Sequence, residues 1–92
     1  MTADASALQR MNLDCNGLRD AGLAPLVDAL PRIHHLRALD ICNNGMSAQF
    51  ARERLLPAVR ANTGLRELWC FTDFREPEPA ATEAEQLVRS RR

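Results

Sequence analysis

Lysine and tyrosine are absent from this chain of 92 residues, and its aromatic residues are three phenylalanines and one tryptophan. Without lysine there is no Schiff-base chemistry and no lysine general base. Every one of the twelve basic residues is an arginine. Their abundance beside alanine and proline reads as the bias of a GC-rich genome rather than as selection for phosphate recognition, a task the guanidinium also suits. Neither sign of charge is in excess, since twelve acidic residues bring the formal net charge to zero. The chain as a whole is therefore not drawn to nucleic acid or to an anionic membrane, and electrostatic binding has to come from a local patch. Long apolar runs are lacking too. None approaches the roughly 18 residues of a membrane span, so no membrane association is expected.

Cysteine is sparse: Cys15, Cys42 and Cys70 are odd in number and widely spaced. The opening MTADASAL has neither the basic start nor the long apolar stretch of a secretory leader. Free thiols in a reducing, cytoplasmic setting are the expectation. His34 and His35 adjoin each other, but no Cys-x-x-Cys pair accompanies them, so the spacing argues against structural zinc. No phosphate-cradling glycine loop, nucleophile elbow or His-Glu-x-x-His motif occurs. The chain reads as non-enzymatic, with no cofactor and no metal. Its length allows one domain, residues 1–92, with a small core.

What the chain does contain is a repeat. LQRMNLDCNGL, residues 8 to 18, returns as LRALDICNNGM, residues 36 to 46. The first frame sets Leu8, Met11, Leu13 and Leu18 as apolar positions, and the second sets Leu36, Leu39, Ile41 and Met46. A third starts at Leu65, Leu68 and Cys70, one position later than the first interval would place it. It then degrades, with Asp73 in place of asparagine and Arg75 in place of an apolar residue. Self-similarity at a period of a few tens of residues is the mark of stacked structural units.

Helical signals separate the frames. DAGLAPLVDAL puts Leu23, Leu26, Val27 and Leu30 on one face; Pro25 fits only if it lies in the first turn, and Pro31 ends the helix. Ser47 caps a second helix whose buried stripe is Leu55, Leu56 and Val59, which stops at Asn62 or Gly64. Pro57 interrupts it and predicts a late start or a kink. After the polar loop REPEPAA, Thr82 and Glu85 are placed to form a capping box for a last helix bearing Leu87 and Val88. Each unit is strand, loop, helix, return. Where strand turns toward helix, the Asn16 and Asn44 side chains are expected to pair loop backbone groups that would otherwise be buried and orphaned at about 1 to 3 kcal/mol each. An ionised Asp73 accepts but cannot donate, which suits a terminal loop facing water.

These residues resemble leucine-rich repeats, and the spacing with a long helix per unit is similar to the ribonuclease-inhibitor-like subclass, also seen in the repeat arrays of NOD-like receptors. The resemblance implies an α/β leucine-rich repeat solenoid: a short right-handed βα superhelix of about three parallel strands with outer helices. Its units would be residues 8–35, 36–64 and a degenerate 65–92. It also implies protein binding through the concave face. Three units are few, so the chain is expected to be a small remnant, a piece of a longer array, or a protomer that stacks on another copy through its open ends, where the first strand leaves an unpaired edge.

Strand side chains alternate, so the letters between the apolar positions face the concave side in three rows: Arg10, Ala38 and Glu67; Asn12, Asp40 and Trp69; Asp14, Cys42 and Phe71. Trp69 and Phe71 have the composition of interaction anchors, set against a reading in which they close the end of the core with Phe74. Asp14, Asp40 and Glu67 complete the expected protein-binding set, facing an arginine-rich or amine-bearing partner of unknown identity. Cys70 should be buried, Cys15 should sit in the tight loop, and Cys42 should face outward. The arginines, including Arg37 and Arg66 at one repeat position and Arg52, Arg54 and Arg60 on the second helix, are read as solvated, with a phosphate-binding patch as the alternative. Arg89, Arg91 and Arg92 complement a helix end. No nucleic-acid partner is expected.

Overall fold

Apolar letters two apart make a strand with one dry face, and three such triplets, centred on Met11, Leu39 and Leu68, recur along the chain. In the computed structural model, which describes residues 9–70 and 78–91, they become β1 (Arg10–Asn12), β2 (Ala38–Asp40) and β3 (Glu67–Trp69). The strands form one parallel sheet in the order β1-β2-β3. Arg10 pairs with Ala38 and Ala38 with Glu67; Met11, Leu39 and Leu68 align, as do Asn12, Asp40 and Trp69. The register is the one that the repeat requires. Pairing continues beyond the regular strands, with Leu13 N donating to Asp40 O, Cys15 N to Cys42 O and Ile41 N to Trp69 O. At the other end Gln9 O accepts from both Arg37 N and Ala38 N, and Arg37 O accepts in the same way from Arg66 N and Glu67 N.

Helices follow the strands, giving an α/β chain. The first is α1 (Arg19–Ala29), continued by a 3-10 turn at Leu30–Arg32. Its stripe is as expected: Leu23, Val27 and Leu30 are buried and Leu26 is partly so. Pro25, however, lies mid-helix rather than in the first turn, because α1 begins well before it. The missing N–H deprives Ala21 O of its partner, and Ala21 and Pro25 are both exposed, so water can serve that carbonyl. The second helical stretch is α2 (Ala48–Phe50), a π-helical turn at Ala51–Leu55 and α3 (Leu56–Ala61). Ser47 caps it as expected, accepting from Phe50 N at 3.0 Å, and is itself held by the Asp20 carboxylate. The disturbance predicted from Pro57 takes the form of the π turn. Leu56 N–H reaches back five residues to Ala51 O, and the widened coil makes room for a ring that would collide with a carbonyl of the preceding turn.

The last helix, α4 (Pro79–Arg89), corrects the capping-box expectation. Pro79 stands at the first helical position, where its lack of an N–H costs nothing, and the Glu78 carboxylate accepts from Ala80 N at 3.2 Å. Glu85 is thereby released to accept from Cys70 N at 2.9 Å, joining α4 to the end of β3. The core lies between the sheet and the helices, with Leu39, Ile41, Leu68 and Cys70 facing Leu23, Leu55, Val59, Ala84 and Val88. Met11, Leu13 and Leu18, the apolar positions of the first frame among the described residues, are only partly buried, β1 being an edge strand of the described sheet, and Leu8 lies outside those residues.

The loops leaving β1 and β2 repeat in backbone conformation as well as in letters. Cys15 and Asn43 have φ of 59° and 56°, and Gly17 and Gly45 have 61° and 73°. Asn12 and Asp40 accept from the amides of Asp14 and Cys42 at 2.9 and 3.0 Å. Between these loops lies Asn44, fully buried. Its Nδ2 donates to Leu13 O, Ile41 O and Cys42 O, and its Oδ1 accepts from Asn16 N and Leu18 N. It therefore pairs backbone groups of two loops at once, as the repeat predicted. Asn16, expected to do the same, is instead exposed, and its side-chain amide donates within its own loop, to Asp14 O.

Candidate functional site

The sheet face away from the helices presents the letters between the apolar positions. Ala38 is the smallest of them and sits on the central strand. Over it Arg10 Nη2 reaches Glu67 Oε2 at 3.0 Å, an ion pair spanning from β1 to β3. Arg10 is well exposed, so the pair stabilises by at most about 1 kcal/mol; its main effect is to orient both side chains along the first row. Beyond it lies a depression of about 480 Å³ whose lining includes Arg10, Asn12, Asp14, Asp40, Cys42 and Trp69. A smaller hollow of about 220 Å³ lies on the far side of Trp69, bounded by Glu67, Leu68, Glu85 and Arg89.

Trp69 is thus a ridge between two hollows. It is 42 % exposed and is the exposed large apolar side chain among the described residues. Its place on β3 follows from the alternation that buries Leu68 and Cys70 on either side of it. Of the five expected contact residues, Asp14, Asp40 and Trp69 come together around the larger hollow, and Glu67 joins Trp69 at the smaller one. Phe71, and with it Asp73 and Phe74, lies outside the described residues. Asp14 and Asp40 are not bare charges: Asp14 accepts from Cys15 Sγ at 3.3 Å and Asn43 Nδ2 at 3.4 Å, and Asp40 closes the turn to Cys42.

The chain matches no family model and no curated protein.

The thiols differ sharply. Cys15 is exposed in its loop, with its pKa raised first by the hydrogen bond to Asp14 and then by burial and the Asp14 charge. Cys42 is half-buried at the rim of the larger hollow, as expected. Cys70 is buried, and burial first, then the Glu85 charge, push its thiol far above the ordinary value of 9.0. A thiol kept neutral this way contributes stability that is present below its unfolded pKa and lost as pH rises beyond it. In the native protein Cys15 should react with a thiol reagent within minutes and Cys70 only upon unfolding. Peptide mapping of the labelled protein checks this, and early labelling at Cys70 would contradict the packing of β3 on α4. Among the described residues no group of three or more His, Cys, Asp or Glu side chains is placed to hold a metal, and no helix is long and apolar enough to cross a membrane.

Two features escaped the sequence. Asn62, read only as a helix stop, is buried, donates to Leu30 O and Ile33 O and accepts from Gly64 N and Leu65 N. Arg37 and Arg66, read as solvated, donate to return-loop carbonyls: Arg37 to Gly64 O at 2.9 Å and Arg66 to Thr63 O at 2.8 Å. Their shared repeat position was the available signal.

Proposed function

We propose that this chain is a short leucine-rich repeat solenoid of the ribonuclease-inhibitor-like kind, acting as a cytoplasmic, non-enzymatic module that binds a protein through its sheet face. The observation that carries the reading is the lateral alignment of Asn12, Asp40 and Trp69 across three parallel strands, which sets an exposed indole beside carboxylates on a rigid surface. A large aromatic ridge between two hollows is the geometry in which one side chain fills much of an interface. The left-handed positions that recur in the loops after β1 and β2 support the repeat reading. The aspartates and Glu67 favour a partner segment that carries arginine or lysine near an apolar residue.

Trp69 is the only tryptophan, so its fluorescence reports on this surface directly. Peptides selected from a display library against the folded protein should carry basic residues and shift the Trp69 emission to the blue. Trp69→Ala should weaken their binding by about 2 kcal/mol while leaving the melting temperature within a few degrees of the parent. Peptides that bind without moving the emission would place the interface elsewhere, and a collapse of stability in Trp69→Ala would assign the indole to closing the core.

The partial exposure of Met11, Leu13 and Leu18 at β1, an edge strand among the described residues, favours a second reading, in which the chain is a stacking or capping segment of a larger repeat array. Sedimentation across a dilution series separates the two: a monomer that stays folded at low concentration argues against stacking.

A further inference from the structure

The zero net charge conceals a local clustering of arginine. The return segments 30–37, 59–66 and 86–91 contain Arg32, Arg37, Arg60, Arg66, Arg89 and Arg91 together with both histidines, and no aspartate or glutamate. They are joined at the end of the sheet where β2 and β3 begin: Asn62 binds the first segment at Leu30 O and Ile33 O, and Arg91 Nη2 reaches Val59 O at 2.8 Å. Asp14 and Asp40 lie where β1 and β2 end; at the end where the strands begin, Glu67 opens β3 and pairs with Arg10, and Arg60 of the second segment pairs with Glu83.

Within the basic end three guanidiniums are pinned to three successive carbonyls. Arg66 Nη1 donates to Thr63 O at 2.8 Å and Leu65 O at 3.1 Å, Arg91 Nη1 donates to the same Leu65 O at 3.3 Å, and Arg37 Nη1 holds Gly64 O at 2.9 Å. Sharing one acceptor holds the Arg66 and Arg91 charges side by side. The cost is visible on Arg91, whose pKa is lowered first by burial and then by Arg66. Each guanidinium carries five N–H donors, and the backbone contacts of Arg37 and Arg91 use only one and two of them. The carbonyls fix the orientation of these groups, so little side-chain freedom is lost when an anion arrives.

We propose that the Arg66–Arg91 pair, flanked by Arg37, is a binding site for a compact oligophosphate anion. Phosphate oxygens accept paired N–H groups from guanidinium in the geometry that gives the strongest hydrogen bonds of this kind, and the negative charge relieves the repulsion between the two arginines. A short polyanion fits better than an extended one, because a nucleic acid lying along the chain would also meet the acidic loops after β1 and β2.

Calorimetric titration of the full chain with sodium tripolyphosphate at low ionic strength tests this. One equivalent should bind. Arg66→Gln should weaken binding roughly tenfold, and Arg52→Gln, on the π turn, should not change it. Amide shifts of the unaltered protein should centre on residues 64–66 and 91, which locates the site even if Arg66→Gln folds poorly. Absence of binding, an equal loss in Arg52→Gln, or shifts centred elsewhere would overturn the proposal. Tighter binding of a single-stranded oligonucleotide or of polyglutamate than of tripolyphosphate would overturn it in favour of a nucleic acid or an acidic protein.

Discussion

Asn44→Ala should lower the unfolding free energy by about 3 kcal/mol or more, a large part of what a chain this small possesses. The amide pairs five backbone groups drawn from two loops, and alanine removes this partner from all of them, with only Cys42 O still accepting from Cys15 N, in a site that has no solvent exposure. Asn16→Ala, at the same place in the preceding frame, should cost well under about 1 kcal/mol, because that amide is exposed and donates within its own loop, to Asp14 O. Urea unfolding of both variants checks the contrast, and similar midpoints would show that the buried amide does not join the loops. Asn44→Asp sharpens the test. Its ionised form would face three carbonyls with nothing to donate, so the carboxyl pKa in the folded state must rise above the unfolded value near 4. The stability of that variant is then greatest below the unfolded pKa and falls as pH rises toward the folded one. It should melt higher at pH 4 than at pH 7.

Leu39→Ala is the second large effect, at about 2 to 5 kcal/mol. Leu39 lies on the central strand with no exposure, aligned between Met11 and Leu68 and packed under the helices. Met11→Ala removes a side chain from the same row, yet Met11 is partly buried at the sheet edge and should cost no more than about half as much. Chemical denaturation of the pair reads the difference. Equal losses would mean that the edge strand is covered as fully as the centre.

The sheet was legible because the repeat permits one register that aligns all the leucine positions, and a slip by one residue would turn Leu39 and Ile41 outward. The asparagine tie was legible for the same reason: Asn16 and Asn44 recur, and a recurring amide at a sharp turn has backbone to satisfy. Asn62 was not, since Ile33 holds the equivalent position in the preceding unit and no repetition marks it. Glu85 was misread because a glutamate three residues after a threonine looks the same whether it caps its own helix or reaches Cys70 N; only the neighbouring strand decides. Trp69 and Asp40 could be placed on one face by alternation, but the two hollows flanking the indole depend on Arg10 crossing Ala38 to Glu67, and Arg10 and Glu67 are far apart in sequence. The arginine ties to Thr63, Gly64 and Leu65 are likewise contacts between chain segments, invisible to local pattern.

The widened coil at Ala51–Leu55 also accounts for an oddity of spacing. The aligned residues Met11 and Leu39 are 28 positions apart and Leu39 and Leu68 are 29 apart, and the longer interval is the one that contains the π turn. A turn closed over five residues instead of four stores one additional residue without displacing the strands on either side. Insertions in this chain can therefore be absorbed on the helical side, as slack in a spring, while the sheet keeps its alignment.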